Sequence, residues 1–299
     1  MRSRPTAALL STVLFFSIFC RPAALAEPAP RVECKSLDSK VLGRAVGYCV
    51  VLPPSYDQNK TRKYPVLYFF HGLGDNEQMF IHGGAFNLVQ DLWERKQIGE
   101  FLIVTPAAGA SFYINSRSGK VHYEDFLVQE FLPQIETRYR TSAGRSSRGV
   151  SGVSMGGYGA LHLAFRHPEL FAAVSAESPA LIDEFPAFVA PATGGGMRAR
   201  VLEETFGSPP DPAFWERNSP LTLARTARLG ALGIYFDCGD QDDYGFEDGA
   251  KSLDKILTRR QIPHQAHIYP GRHDWEYFAE HLPASLEFQW RAFENQPSR

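Results

Sequence analysis

Apolar residues in this chain fall into two patterns: short unbroken runs, and longer stretches in which they recur every three or four positions. Pro65-Val66-Leu67-Tyr68-Phe69-Phe70 and Phe101-Leu102-Ile103-Val104-Thr105 are runs of the first kind, bounded by turn residues. A strand with one wet face alternates apolar and polar side chains, whereas an uninterrupted run suits a strand covered on both faces. These two therefore predict central, parallel strands. Further strands are predicted over 149–153, 171–175, 232–236 and 265–269. Helical spacing is found over 86–95 and over 123–139, where Phe126, Val128, Phe131, Leu132, Ile135 and Tyr139 recur on one side. Glu124 and Asp125 suit the positive end of the second helix. A third helix is expected to follow 149–153 directly, and a last one to occupy 281–294.

Strands alternating with helices predict an α/β fold built on a doubly wound, mostly parallel sheet with helices on both faces. Two β-like segments, 32–34 and 44–52, precede this alternation and are closed off by Pro53-Pro54-Ser55-Tyr56-Asp57. They read as an edge hairpin. The rhythm lapses once, between Ile182 and Ala227, where six prolines, the triplet Gly194-Gly195-Gly196 and the aromatics Phe206, Phe214 and Trp215 are gathered. Such a segment reads as a cap-like insertion over the sheet, and its aromatics are candidates for lining a substrate pocket.

The amino terminus changes the picture of where the chain works. Arg2 and Arg4 precede an apolar stretch from Ala7 to Cys20, and Ala24-Leu25-Ala26 stands before Glu27. That is the plan of a secretory signal peptide cleaved after Ala26, and the apolar run is shorter than a membrane span needs. Residues 27–299 then form a single domain in the periplasm or outside the cell. Formal net charge is -2 with mixed signs, which argues against a nucleic-acid surface or a polybasic membrane patch and for a small or neutral molecule as partner. Export leaves Cys34, Cys49 and Cys238. The first two are expected to pair in an oxidising compartment, and Cys238, at the end of an apolar strand, reads as a buried small hydrophobe. No metal-ligand or redox spacing is present, and no cofactor is implied.

The chemistry sits in Gly152-Val153-Ser154-Met155-Gly156. Gly-x-Ser-x-Gly between a strand and a helix is the nucleophile elbow, a sharp turn whose glycines remove Cβ atoms that would collide. Ser154 is the candidate nucleophile. A serine hydroxyl needs an imidazole to take its proton, and an acid to fix that imidazole's tautomer. The acid and histidine of the α/β-hydrolase layout follow the serine, in that order, on loops after strands. Asp237-Cys238-Gly239-Asp240-Gln241-Asp242-Asp243-Tyr244 and Pro270-Gly271-Arg272-His273-Asp274-Trp275 occupy those places. His273 is the candidate base, and Asp240, Asp242 and Asp243 are open as the acid. Of the other histidines, only His71 lies on a loop that converges on the same end of the sheet; the rest read as structural. Oxyanion donors are expected from the amides of Met155, after the nucleophile, and Leu73, in the loop His71-Gly72-Leu73-Gly74.

Several runs resemble the esterase family that includes feruloyl and acetyl-xylan esterases, S-formylglutathione hydrolases and mycobacterial mycolyltransferases. They are Tyr48-Cys49-Val50-Val51-Leu52-Pro53-Pro54-Ser55-Tyr56, Phe70-His71-Gly72-Leu73-Gly74, Tyr123-Glu124-Asp125-Phe126-Leu127, Ser154-Met155-Gly156-Gly157-Tyr158-Gly159, Phe206-Gly207, 239–242 and Gly271-Arg272-His273-Asp274-Trp275. In that family's pattern the acid falls three residues after the glycine, which implies Asp242. The resemblance implies an exported serine esterase acting through an acyl-Ser154 intermediate on acyl esters, including feruloyl or acetyl groups on carbohydrate. Acyl transfer to a sugar is the alternative within the same plan. A formylglutathione thioesterase is a further one, against which stand Tyr158, where those enzymes typically carry histidine, and the export signal.

Overall fold

The computed structural model describes residues 29–142, 144–183, 197–209 and 211–294. The predicted leader, 1–26, lies outside the described residues, as does 184–196 of the insertion. Eight strands form one sheet in the order β1-β2-β4-β3-β5-β6-β7-β8, with β1 Arg31–Ser39, β2 Arg44–Leu52, β3 Val66–Phe70, β4 Leu102–Pro106, β5 Arg148–Val153, β6 Ala173–Glu177, β7 Gly233–Gly239 and β8 Gln265–Tyr269. The first two pair antiparallel, β2 joins β4 antiparallel, and every other pairing is parallel.

The unbroken apolar runs have the predicted cause. Val66, Tyr68 and Phe70 point into one core and Leu67 and Phe69 into the other. The first core is closed by the Met155–Arg166 and Phe246–Arg259 helices, the second by Ala85–Glu94 and Trp275–Glu294. Among the described residues no helix is long and apolar enough to cross a membrane.

The first strand is longer than predicted, running to Ser39, and the strand predicted over 171–175 is shifted to Ala173–Glu177; two helices depart further. The helix predicted over 123–139 is three pieces in sequence, Tyr123–Phe126, a wide π-turn over Leu127–Phe131, and Leu132–Arg138. Pro133 has no N–H to offer Gln129 and its ring crowds that carbonyl, and the helix widens in the turn before it. The last helix starts at Trp275, six residues before the predicted start, with the Asp274 carboxylate accepting the Tyr277 N–H at 3.0 Å. Pro283 lies inside it, a residue that sequence reasoning assigns to helix starts, which hid the first two turns.

Cys34 and Cys49 face each other across the β1–β2 pair and are disulfide-bonded, while Cys238 is free and buried. The bond closes a loop with sequence separation 15, for which the chain-entropy account gives about 3 kcal/mol. Cys34→Ala with Cys49→Ala is therefore expected to lower unfolding free energy by about 2–3 kcal/mol in a urea titration. A non-reduced digest should contain the linked peptides. Free thiols at both positions, or an unchanged urea midpoint, would contradict this.

Candidate active site

β5 runs into a turn where Ser154 adopts φ 56° and ψ -120°. A non-glycine residue holds that conformation only where its surroundings impose it. Here the Ser154 N–H donates to the Glu177 carbonyl at 2.9 Å, and the Ser154 carbonyl accepts the N–H groups of Tyr158 and Ala180, each at 3.0 Å. Glycine is required on either side. A Cβ on Gly156 would lie 2.1 Å from the Phe70 carbonyl oxygen, and one on Gly152 would lie 2.5 Å from that of Gly156. The missing Cβ atoms let β3, β5 and the Met155–Arg166 helix converge behind the serine.

His273 stands on the loop after β8, with Nε2 2.9 Å from Ser154 Oγ and Nδ1 2.6 Å from Asp242 Oδ2. A carboxylate only accepts, so Nδ1 carries the hydrogen and the Nε2 lone pair is left facing the hydroxyl. The His273 and Asp242 side chains are 8% and 0% exposed, which strengthens their bond by excluding water. Asp242 Oδ1 is occupied by the Tyr244 N–H at 2.9 Å. The imidazole is held edge-to-face by Tyr244, Phe246 and Phe278, with ring centroids at 4.7, 5.3 and 5.4 Å.

The neighbouring aspartates have other work. Asp240 accepts the Gly271 N–H at 3.1 Å and so ties the acid loop to the histidine loop, and Asp243 pairs with Arg272 at the surface. His71, the other histidine directed to this end of the sheet, accepts the Ala108 N–H on Nε2 at 3.0 Å, which leaves Nδ1 to donate to the Gly72 carbonyl at 2.8 Å. Burial lowers its pKa and keeps it neutral. It braces the Gly72–Gly74 loop rather than facing Ser154. Leu73 and Met155 both border the cavity beside the serine, and Met155, first in its helix, has no intrahelical acceptor for its N–H.

That cavity measures about 210 Å³, and its aromatic wall consists of Phe112, Trp215, Tyr244, Phe246, Trp275 and Phe278. The expectation that Phe206, Phe214 and Trp215 line it together is corrected: among the described residues Trp215 is on the wall and the two phenylalanines are not. Phe206 is fully buried, with its ring 4.7 Å from that of Trp215 and 5.2 Å from Phe112, so it supports the wall from behind. Phe214 packs in turn on Phe206, at 6.2 Å. Their helices, Met197–Phe206 and Pro212–Asn218, are amphipathic at this contact, and neighbouring positions point to different sides. Tyr244, Phe246, Trp275 and Phe278 were missed by sequence reasoning, although each lies within five residues of Asp242 or His273. That clustering of aromatics on the two loops was the available signal.

Trp215 is held in place from below. The Asn218 carbonyl accepts the Tyr158 hydroxyl at 2.8 Å and lies 2.8 Å from His162 Nδ1, and His162 Nε2 and His167 Nε2 reach the Glu124 carboxylate at 3.0 and 2.9 Å. Burial alone would raise the Glu124 pKa, but the two histidine contacts hold it well below the usual carboxylate range. Both histidines are structural, as expected. Among the described residues no group of three or more His, Cys, Asp or Glu side chains is placed to hold a metal.

Comparisons with known proteins show the family and the fold. A family model described as Putative esterase matches residues 39–288. Esterase Rv1288 of Mycobacterium tuberculosis (strain ATCC 25618 / H37Rv) is 30% identical over 265 residues, covering 83% of this chain and 56% of the relative; the chain thus spans about half the length of that protein. An acetyl esterase of Caldicellulosiruptor saccharolyticus is 25% identical, covering 84% of this chain and 94% of its own. Among solved structures, a ferulic acid esterase superposes with a TM-score of 0.76 at 31% identity, over 89% of this chain and 99% of its own. Sheet order, turn geometry and these matches together make the fold that of the α/β-hydrolases, and the chain belongs to the Putative esterase family.

Proposed function

We propose that the chain is a serine carboxylic-ester hydrolase in which Ser154, His273 and Asp242 act as nucleophile, base and acid. The observation that carries this reading is the continuous path from Asp242 Oδ2 through the His273 ring to Ser154 Oγ, at 2.6 and 2.9 Å, opening into an aromatic cavity. His273 Nε2 takes the hydroxyl proton as Ser154 Oγ attacks the ester carbonyl carbon. The carbonyl oxygen becomes an oxyanion, stabilised by the amides of Met155 and Leu73. Collapse of the tetrahedral species breaks the bond to the alcohol, which leaves with the proton from His273. Water then repeats the sequence against the acyl-Ser154 ester and frees the acid and the serine.

The substrate class we infer is an aromatic or short acyl ester of a carbohydrate alcohol. Two things support it: an aromatic wall able to stack on a planar acyl group, and the similarity to an acetyl esterase and a ferulic acid esterase. Action outside the cytoplasm is supported by the amino-terminal charge and apolar pattern and by the Cys34–Cys49 bond.

On chromogenic acyl esters, Ser154→Ala and His273→Ala should each lower kcat/KM by roughly 10⁴-fold or more, with Asp242→Asn retaining a larger residue of activity. Asp240→Asn and Asp243→Asn should cost less than about tenfold. A greater loss in either of them than in Asp242→Asn would move the acid. Adding a sugar acceptor decides between hydrolysis and acyl transfer: free acid should remain the main product.

Specificity is tested separately. Trp215→Ala should change the ratio of kcat/KM between feruloyl and acetyl esters by about tenfold or more, since the feruloyl ring loses an aromatic stacking surface that the acetyl group does not use. Phe214→Ala should leave the ratio alone. If the Trp215 ratio is constant while both rates fall together, the tryptophan only packs the insertion onto the sheet.

A further inference from the structure

Beneath the Ser154 turn, on the sheet face covered by the Trp275–Glu294 helix, two carboxyl groups are sealed from water. Glu177 ends β6, and Asp237 stands opposite it on β7 in the parallel register, so both side chains leave the same face. Each residue is 0% exposed. Asp237 Oδ1 accepts the Tyr277 hydroxyl at 2.7 Å. Among the described residues, Asp237 Oδ2 and both Glu177 carboxyl oxygens have no hydrogen-bond partner.

The groups facing the pair offer no fixed positive charge. They are Tyr235 on β7, Tyr277, His281 and the Ser285 hydroxyl on the last helix, and His267 on β8, in register with Asp237 and packed on Tyr235. Burial lowers the His281 pKa and keeps that ring neutral. With both carboxyls ionised, Asp237 would have the Tyr277 hydroxyl as donor but no counter-charge, and Glu177 would be a second buried anion beside it with no counter-charge of its own. Neighbouring strands stand about 4.8 Å apart, so a protonated Glu177 has an acceptor to hand in the unpaired Asp237 Oδ2.

The pair is also connected to each part of the proposed triad. The Glu177 carbonyl accepts the Ser154 N–H at 2.9 Å, and the Asp237 carbonyl accepts that of Ser178 at 2.8 Å. β7 carries Asp237 straight into the loop bearing Asp242. Tyr277 is fastened to the histidine loop through Asp274, and its ring fills the space where a Cβ on Gly271 would stand, at 2.6 Å.

We propose that Glu177 and Asp237 form a positioning pair that carries at most one negative charge in the working enzyme, with Glu177 holding the proton, and that this pair keeps the strand ends bearing Ser154 and Asp242 in register with the His273 loop. Burial pushes the Glu177 carboxyl well above the usual carboxylate range and raises Asp237, to about 7. For acids raised in this way, their contribution to stability is complete below the ordinary carboxylate pKa near 4 and is lost as pH rises toward the folded values. A second ionisation sets two like charges side by side under the serine and loosens the register.

The kinetic part of this inference rests on the triad reading; the proton itself does not. Infrared spectra of the intact protein at pH 7 should contain the C=O band of a buried protonated carboxylic acid, absent from Glu177→Gln. In kcat/KM against pH for an aryl ester, the alkaline limb of the native enzyme should move up by at least one pH unit in Glu177→Gln. Glu177→Leu should lose at least tenfold in kcat with KM within threefold, a defect that Gln rescues. A native protein without the infrared band overturns the shared proton. Coincident pH profiles for the native enzyme and Glu177→Gln overturn the positioning role, and where Glu177→Leu does not fold, that comparison alone decides.

Discussion

The positive φ of Ser154 is the constraint on which the rest of the structure depends. A serine at φ 56° does not relax because its N–H is taken by β6 and its carbonyl by two amides on the far side of the turn. Those bonds require β6 and the Met155–Arg166 helix to stand close to β5, and the closeness requires glycine at 152 and 156. β3 contributes its own carbonyl to that packing at Phe70. The ends of β3, β5 and β6 are therefore held close together by the turn. The consequence is chemical: the hydroxyl is presented to His273 at the mouth of the cavity, with the first amides of the helix beside it.

Much of this was legible in the sequence because the determinants are local. Continuous runs such as 65–70 and 101–105, short and bounded by turn residues, suit strands covered on both faces, and Gly-x-Ser-x-Gly between a strand and a helix carries its own geometry. The Cys34–Cys49 pairing followed from two cysteines in adjacent antiparallel segments. Order along the chain pointed to the two loops whose Asp242 and His273 come together beside Ser154. What residue types alone left open was which aspartate turns inward. Asp240, Asp242 and Asp243 share one loop, and the direction of each side chain is set by tertiary partners: the Gly271 amide, the His273 ring and Arg272 respectively.

The pocket was less legible for the same reason. Phe206, Phe214 and Trp215 belong to one segment and one residue class, yet only Trp215 reaches the wall, because helical geometry turns its neighbours to the back and the Asn218 contacts with Tyr158 and His162 set the level of the Pro212–Asn218 helix. The buried carboxyls are a second case. The strand predicted over 171–175 stops short of Glu177, which sequence reasoning gave no role. Its burial opposite Asp237 follows from the length and placement of the last helix, whose start at Trp275 was hidden by Pro283.

The central claim is that folding makes one hydroxyl, that of Ser154, a nucleophile. A fluorophosphonate probe tests this directly, since it is attacked by an activated serine and forms a stable bond to its oxygen. The native chain should take up one probe per molecule, mapped by mass spectrometry to the peptide containing Ser154, and chain unfolded in urea before exposure should take up none. A label on another residue, or a chain that hydrolyses esters while Ser154 stays unlabelled, would contradict the account.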